Sequence, residues 1–142
     1  MTQVKVSEPV KAPADQVWAL LGDFGGGPAK WGAPMIESCR VEGSGVGAVR
    51  TIGLPGGATI QERCEGYDAG GRALTYSIIG TSPIPIRDYL STCRVVATGP
   101  KESRVDWEGR FEPVGVPDED AQALVRGIYT GGIAAVRKLL GG

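Results

Sequence analysis

The sequence predicts an α+β fold: a curved antiparallel sheet of seven strands around one long C-terminal helix, with two short helices between strands one and two. Three observations lead there. Residues 117–140 carry Ala121, Leu124, Val125, Ile128, Gly132, Ala135, Val136, Leu139 and Leu140 at three- and four-residue spacing, the signature of one amphipathic helix face. Nearly everything before them reads as short alternating segments punctuated by glycine-rich turns. Strands joined in succession by hairpins make an antiparallel sheet, and such a sheet buries its apolar face under helices gathered on one side.

Each element follows from local pattern. Val4 and Val6 alternate with Gln3, Lys5 and Ser7, giving a first strand over residues 2–9. Pro13 opens a short helix whose apolar face is Val17, Trp18, Leu21 and Phe24, and Gly25-Gly26-Gly27-Pro28 breaks it. A helical turn over 29–31 follows. The remaining strands are predicted at 36–42, 46–52, 59–67, 72–79, 86–97 and 103–112, separated by turns at 43–45, 53–57, 68–71, 80–85 and 98–101. In the last strand Val105, Trp107 and Phe111 alternate against Arg104, Asp106, Glu108 and Arg110. The final helix begins with Asp118, Glu119 and Asp120 and ends with Arg137 and Lys138, which complements its macrodipole. Gly127, Gly131 and Gly132 sit in its interior, where each costs about 1 kcal/mol relative to alanine. Such a cost points to close packing on a strand or a neighbouring chain, or to room for a ligand at Gly132.

Composition narrows the function. The 142 residues suit one domain, 1–142, with a net charge of −1 and no run of Lys or Arg, which argues against nucleic acid and a membrane-surface helix. No apolar run approaches the roughly 20 residues of a bilayer span, and the N-terminus lacks the apolar core of a signal peptide, so a cytoplasmic chain without membrane insertion is expected. Cys39, Cys64 and Cys93 are well separated and odd in number, and free buried thiols are expected. There is no histidine. Ser-His-Asp and Cys-His chemistry and imidazole metal sites are therefore excluded; no metal or cofactor is expected, and any acid–base work falls to Asp, Glu, Tyr, Lys, Cys or water.

Three segments carry a family resemblance. Ala12-Pro13-Ala14-Asp15-Gln16-Val17-Trp18-Ala19-Leu20-Leu21 is similar to an opening helix of pattern P-A-x-x-V-W-x-L. Gly47-Ala48-Val49-Arg50-Thr51 with Leu54-Pro55 and Glu62-Arg63, and Tyr76-Ser77-Ile78-Ile79 with Ser82-Pro83-Ile84-Pro85-Ile86-Arg87-Asp88-Tyr89, supply the other two. In this order and spacing the chain resembles the START-related superfamily of helix-grip proteins, which includes the birch-pollen allergens, the polyketide cyclase/dehydrase family and the plant abscisic-acid receptors. The fit is best to bacterial polyketide-cyclase-like proteins. The resemblance implies a ligand cavity between sheet and last helix, with the loops at 53–57 and 80–85 as gate and latch. Leu54-Pro55 matches the receptors' gate; Ile84-Pro85-Ile86 stands in place of their latch residues, and Ala33 in place of their ligand-binding lysine. Carried over by position, Glu62, Ile78, Tyr89, Ser91, Glu108, Leu124, Ile128 and Gly132 line the cavity.

From the residues themselves, strand four has two readings: facing inward at Ile60, Glu62 and Cys64 it places a carboxylate in an apolar space, with Arg50 as its counter-ion, and otherwise these charges lie on the solvated face of the sheet. Glu62, Tyr89 and Glu108 are the candidate acid–base groups. Strand alternation points Glu108 outward and the resemblance points it inward, which a bulge near Gly109 would reconcile. Trp31, Tyr76, Ile84, Pro85, Ile86 and Trp107 complete the candidate ligand-binding set. The expected function is binding of a small, largely hydrophobic molecule by a monomer or homodimer. The alternatives are a metal-independent polyketide cyclase or dehydratase and a ligand-dependent interaction module.

Overall fold

A computed structural model describes residues 1–33 and 35–141. The elements are β1 (Thr2–Val10), α1 (Ala14–Leu21), α2 (Gly27–Trp31), β2 (Ser38–Glu42), β3 (Val49–Gly53), β4 (Thr59–Asp68), β5 (Ala73–Ile79), β6 (Ile86–Gly99), β7 (Glu102–Pro113) and α3 (Asp118–Leu140). The strands form one sheet in the order β1-β7-β6-β5-β4-β3-β2, antiparallel at every joint. Several predicted edges move: α2 begins at Gly27 rather than 29, β2 at Ser38 rather than 36, and β6 ends at Gly99 rather than 97. Val46 and Gly47 lie in the turn before β3, with Val46 exposed, and Phe24 falls in the loop after α1.

Strand register assigns each side chain to a face, because residues directly opposite point the same way. One inward row runs Val6, Trp107, Cys93, Leu74, and the next runs Val4, Gly109, Ser91, Tyr76, Cys64. A third, Ile78, Glu62, Arg50, Val41, crosses the far half of the sheet. β6 would present the wrong residues if it were regular. Between Arg87 and Leu90 it carries an extra residue against β7, with Asp88 at φ 54°. Asp tolerates this left-handed conformation better than most residues. The bulge resets the alternation, so that Tyr89, Ser91, Cys93 and Val95 all face inward and are buried.

α3 starts after Pro117 and ends at Gly141, whose φ of 73° is the left-handed cap that glycine accepts without strain. It lies beside β1 and β7, and its buried stripe is Ala121, Val125, Tyr129, Gly132, Ile133 and Val136. Its C-terminal end is strapped to β1: Arg137 donates to the Pro9 carbonyl at 2.6 and 3.0 Å and pairs with Glu8 at 3.1 Å. The sheet has two distinct ends as a result. The turns before β3, after β4 and after β6 stand at one end with the C-terminus of α3. The loops at 53–57 and 80–85 stand at the other with the segment leading into α3, where the Val114 N–H reaches the Pro85 carbonyl at 2.8 Å.

Candidate functional site

At the centre of the sheet–helix interface, Ser91 on β6 gathers a polar cluster inside an apolar shell. Its hydroxyl donates to the Glu108 carbonyl at 3.0 Å and accepts from Tyr129 at 3.0 Å and from Trp107 Nε1 at 3.2 Å. Since the Tyr129 proton goes to Ser91, Tyr89 donates to Tyr129, at 2.6 Å. Trp107 Nε1 also reaches the Tyr76 hydroxyl at 3.1 Å. The Trp107 and Tyr129 rings stack at 4.9 Å and 11°, and Trp31 meets Trp107 edge-on at 5.7 Å. Burial pushes all three tyrosine hydroxyls upward, Tyr129 to about 12, so near neutral pH they are donors rather than bases.

Arg50 and Glu62 form a second polar unit in the far half of the sheet. Arg50 Nε and Nη2 both donate to Glu62 Oε1, at 2.8 and 2.7 Å, with side chains 3% and 10% exposed. The guanidinium lies 4.3 Å from the Phe24 ring centroid and 4.9 Å from that of Tyr76, and donates to the Phe24 carbonyl at 3.1 Å. It thereby ties the α1–α2 connection to β3 and β4. Among the described residues Glu62 Oε2 takes no hydrogen bond, leaving one acceptor in this apolar setting.

The helix wall is where expectation and structure part most. Gly132 is buried, and a Cβ there would stand 3.1 and 3.3 Å from Trp107 ring atoms and 3.3 Å from Trp31. Its missing side chain makes room for two indoles. At Gly127 and Gly131 a Cβ would meet nothing within 4 Å among the described residues, so the expected close packing on a strand is corrected at those two positions. Leu124 and Ile128 lie in the same helical row as Gly132, on the Trp31 side of the buried stripe, and are 42% and 39% exposed. The row is thus closed by tryptophans at one end and open and apolar at the other, at the end of the sheet that carries the two loops. Ile78, Ile84, Pro85 and Leu54 are half-buried there, Ile86 is buried and Pro55 is exposed.

Glu108 is a correction. It sits opposite Lys5 and Thr92, half exposed on the outer face, with Lys5 at 3.8 Å. The pairing of β7 with β1 runs in unbroken register past Gly109, so plain alternation decides its direction. Two contributors were missed. Tyr129 is fully buried and completes the cluster; its spacing from Ala121, Val125 and Ile133 is the signal, obscured by the hydroxyl that sets a tyrosine apart from an apolar stripe. Gly109 is the other: the Tyr129 hydroxyl occupies the place where its Cβ would stand. The three cysteines are free thiols, Cys64 and Cys93 buried and Cys39 half-buried, and burial raises the pKa of each, away from nucleophilic use. Among the described residues no group of three or more Cys, Asp and Glu could hold a metal ion, and no helix is long and apolar enough to cross a membrane.

Known structures share this architecture. An uncharacterized protein from Bacillus thuringiensis is 38% identical over 96% of this chain and 97% of its own, with a TM-score of 0.86. The protein XoxI from Bacillus cereus is 37% identical over 98% and 95%, with a TM-score of 0.87. Norcoclaurine synthase from Thalictrum flavum, solved with dopamine and hydroxybenzaldehyde, is 18% identical over 97% and 85%, with a TM-score of 0.73, a likeness of fold alone that identifies the helix-grip architecture. No curated protein matches the chain. The sequence pattern of one family spans residues 1–141, every element from β1 to the end of α3, and by that match the chain belongs to the polyketide cyclase/dehydrase and lipid transport family.

Proposed function

We propose that this chain binds a small, largely hydrophobic molecule in the groove between the concave sheet and α3, at the end bearing the loops 53–57 and 80–85. The supporting observation is the open apolar row of Leu124 and Ile128 beside Trp31. It continues the buried helix face into solvent, at the end of the sheet where Ile78 and Ile84 are also only half covered. Covering such surface yields about 25 cal/mol per Å². The central aromatic cluster forms the floor, and Glu62 Oε2 is the acceptor that orients a ligand donor. Gly56, Gly57 and Gly80 adopt φ of 89°, 92° and 70°, giving both loops hinge positions for closing over the ligand. Binding is favoured over cyclisation or dehydration because the Tyr89 hydroxyl is bonded to Tyr129 and the Glu62 charge to Arg50.

The test uses 8-anilinonaphthalene-1-sulfonate, a dye that brightens in apolar sites, with thermal stability read in parallel. Saturable fluorescence with a raised melting temperature is expected, because a ligand of the folded state alone must stabilise it. Leu124→Asp and Ile128→Asp should each weaken the dye by about tenfold, given the cost of burying a carboxylate, while leaving these half-exposed sites folded. Dye binding that both variants leave unchanged would place the ligand elsewhere and refute the reading.

A further inference from the structure

At the opposite end of the sheet, a cavity of about 460 Å³ opens between the end of α1, the turn before β3, and β4. Its walls include Trp18, Gly22, Asp23, Phe24, Gly45 and Tyr67. The Trp18 indole lies flat over Gly22: a Cβ there would stand 2.5 to 2.6 Å from its ring atoms, so only glycine lets the ring take this position. Tyr67, 46% exposed, packs against Trp18 at 5.6 Å and 31°. Gly45, at φ 65°, contributes bare backbone.

Asp23 is the one charged residue among those walls. Its Oδ1 accepts the Gly26 N–H at 3.0 Å; Oδ2 accepts no hydrogen bond, and Asp23 enters no ion pair among the described residues. Arg50 stands on the Phe24 ring with its charge matched by Glu62 at 2.7 Å, and Arg72 is matched at 2.9 Å by Asp15, one turn of α1 before Trp18. The recess therefore combines aromatic π-faces, which carry negative potential, with an uncompensated carboxylate.

We propose that this recess is a second binding site, for a small organic ammonium ion seated on Trp18 and Tyr67 and paired with Asp23 Oδ2. An anion is repelled by both elements. An uncharged molecule of the same shape gains only the ring contact. An alkylated ammonium gains both and gives up less hydration than a bare ammonium ion. The site shares neither walls nor ligand chemistry with the groove beside α3.

The experiment is an NMR titration of the folded chain, following the Trp18 indole N–H, assigned by its disappearance in Trp18→Phe. The probes are choline and 3,3-dimethyl-1-butanol, its uncharged carbon isostere. Choline should shift the Trp18 signal saturably in the millimolar range, and the isostere should bind about tenfold more weakly. Asp23→Asn and Tyr67→Ala, both at exposed positions that keep the fold, should each weaken choline by a similar factor. The absence of a saturable shift, equal binding of the isostere, or unchanged affinity in Asp23→Asn would each overturn the proposal.

Discussion

The three interior glycines of α3 should respond to the same substitution in opposite directions. At Gly127 and Gly131 an added methyl meets open space among the described residues, so only backbone entropy and helix propensity change. Gly127→Ala and Gly131→Ala should each stabilise the chain by about 0.5–1 kcal/mol. At Gly132 the same propensity gain, about 1 kcal/mol, opposes overpacking of about 1–3 kcal/mol. The sign depends on whether the contacted rings can yield. Trp107, the closer ring, is held by stacking on Tyr129 and by hydrogen bonds to Tyr76 and Ser91 and so has no free direction, whereas Trp31 is only partly buried. A net loss of about 1 kcal/mol is expected for Gly132→Ala. Urea unfolding reads all three: the midpoint should rise for the first two and fall for the third, with unchanged slope. A Gly132→Ala midpoint as high as that of Gly127→Ala would refute the assignment of Gly132 to the indole contact.

Three further outcomes follow from the buried polar groups. Glu62→Leu should cost about 3–5 kcal/mol by stranding the Arg50 charge, and the Arg50→Leu/Glu62→Leu pair should recover most of that loss; additive losses in chemical unfolding would contradict the coupling. Gly109→Ala should destabilise by about 1–3 kcal/mol because the Tyr129 hydroxyl fills its Cβ position, and Tyr129→Phe in the same chain should relieve much of the clash; calorimetry of the single and double variants decides it. Tyr129 has its ordinary pKa of 10.0 raised to about 12 by burial, so between those values the unfolded chain has lost the proton that the folded chain keeps. The part of the stability that depends on Tyr129 should be level below pH 10 and then fall by about 2–3 kcal/mol toward pH 12, on top of the declines from Tyr76, Tyr89 and the buried thiols, and pH-dependent unfolding of Tyr129→Phe should lack that part.

Residue order alone determined the succession of elements, the long C-terminal helix and its charged ends. These rest on periodicity, capping and turn chemistry, which act over a few residues. The family's segments were equally readable, since they lie along contiguous stretches. What tertiary structure decided was everything that depends on a partner distant in sequence. One extra residue in β6, accommodated by Asp88, turned Tyr89 and Ser91 inward, whereas the unbroken register of β7 kept Glu108 outward. Tyr129 and Gly109 are 20 residues apart, and each explains the other only when α3 lies across β7. The three helix glycines look alike in the sequence, yet among the described residues two face open space and one faces two tryptophans. A missing side chain has no meaning until the atom that would have met it is known, and that atom is supplied by packing.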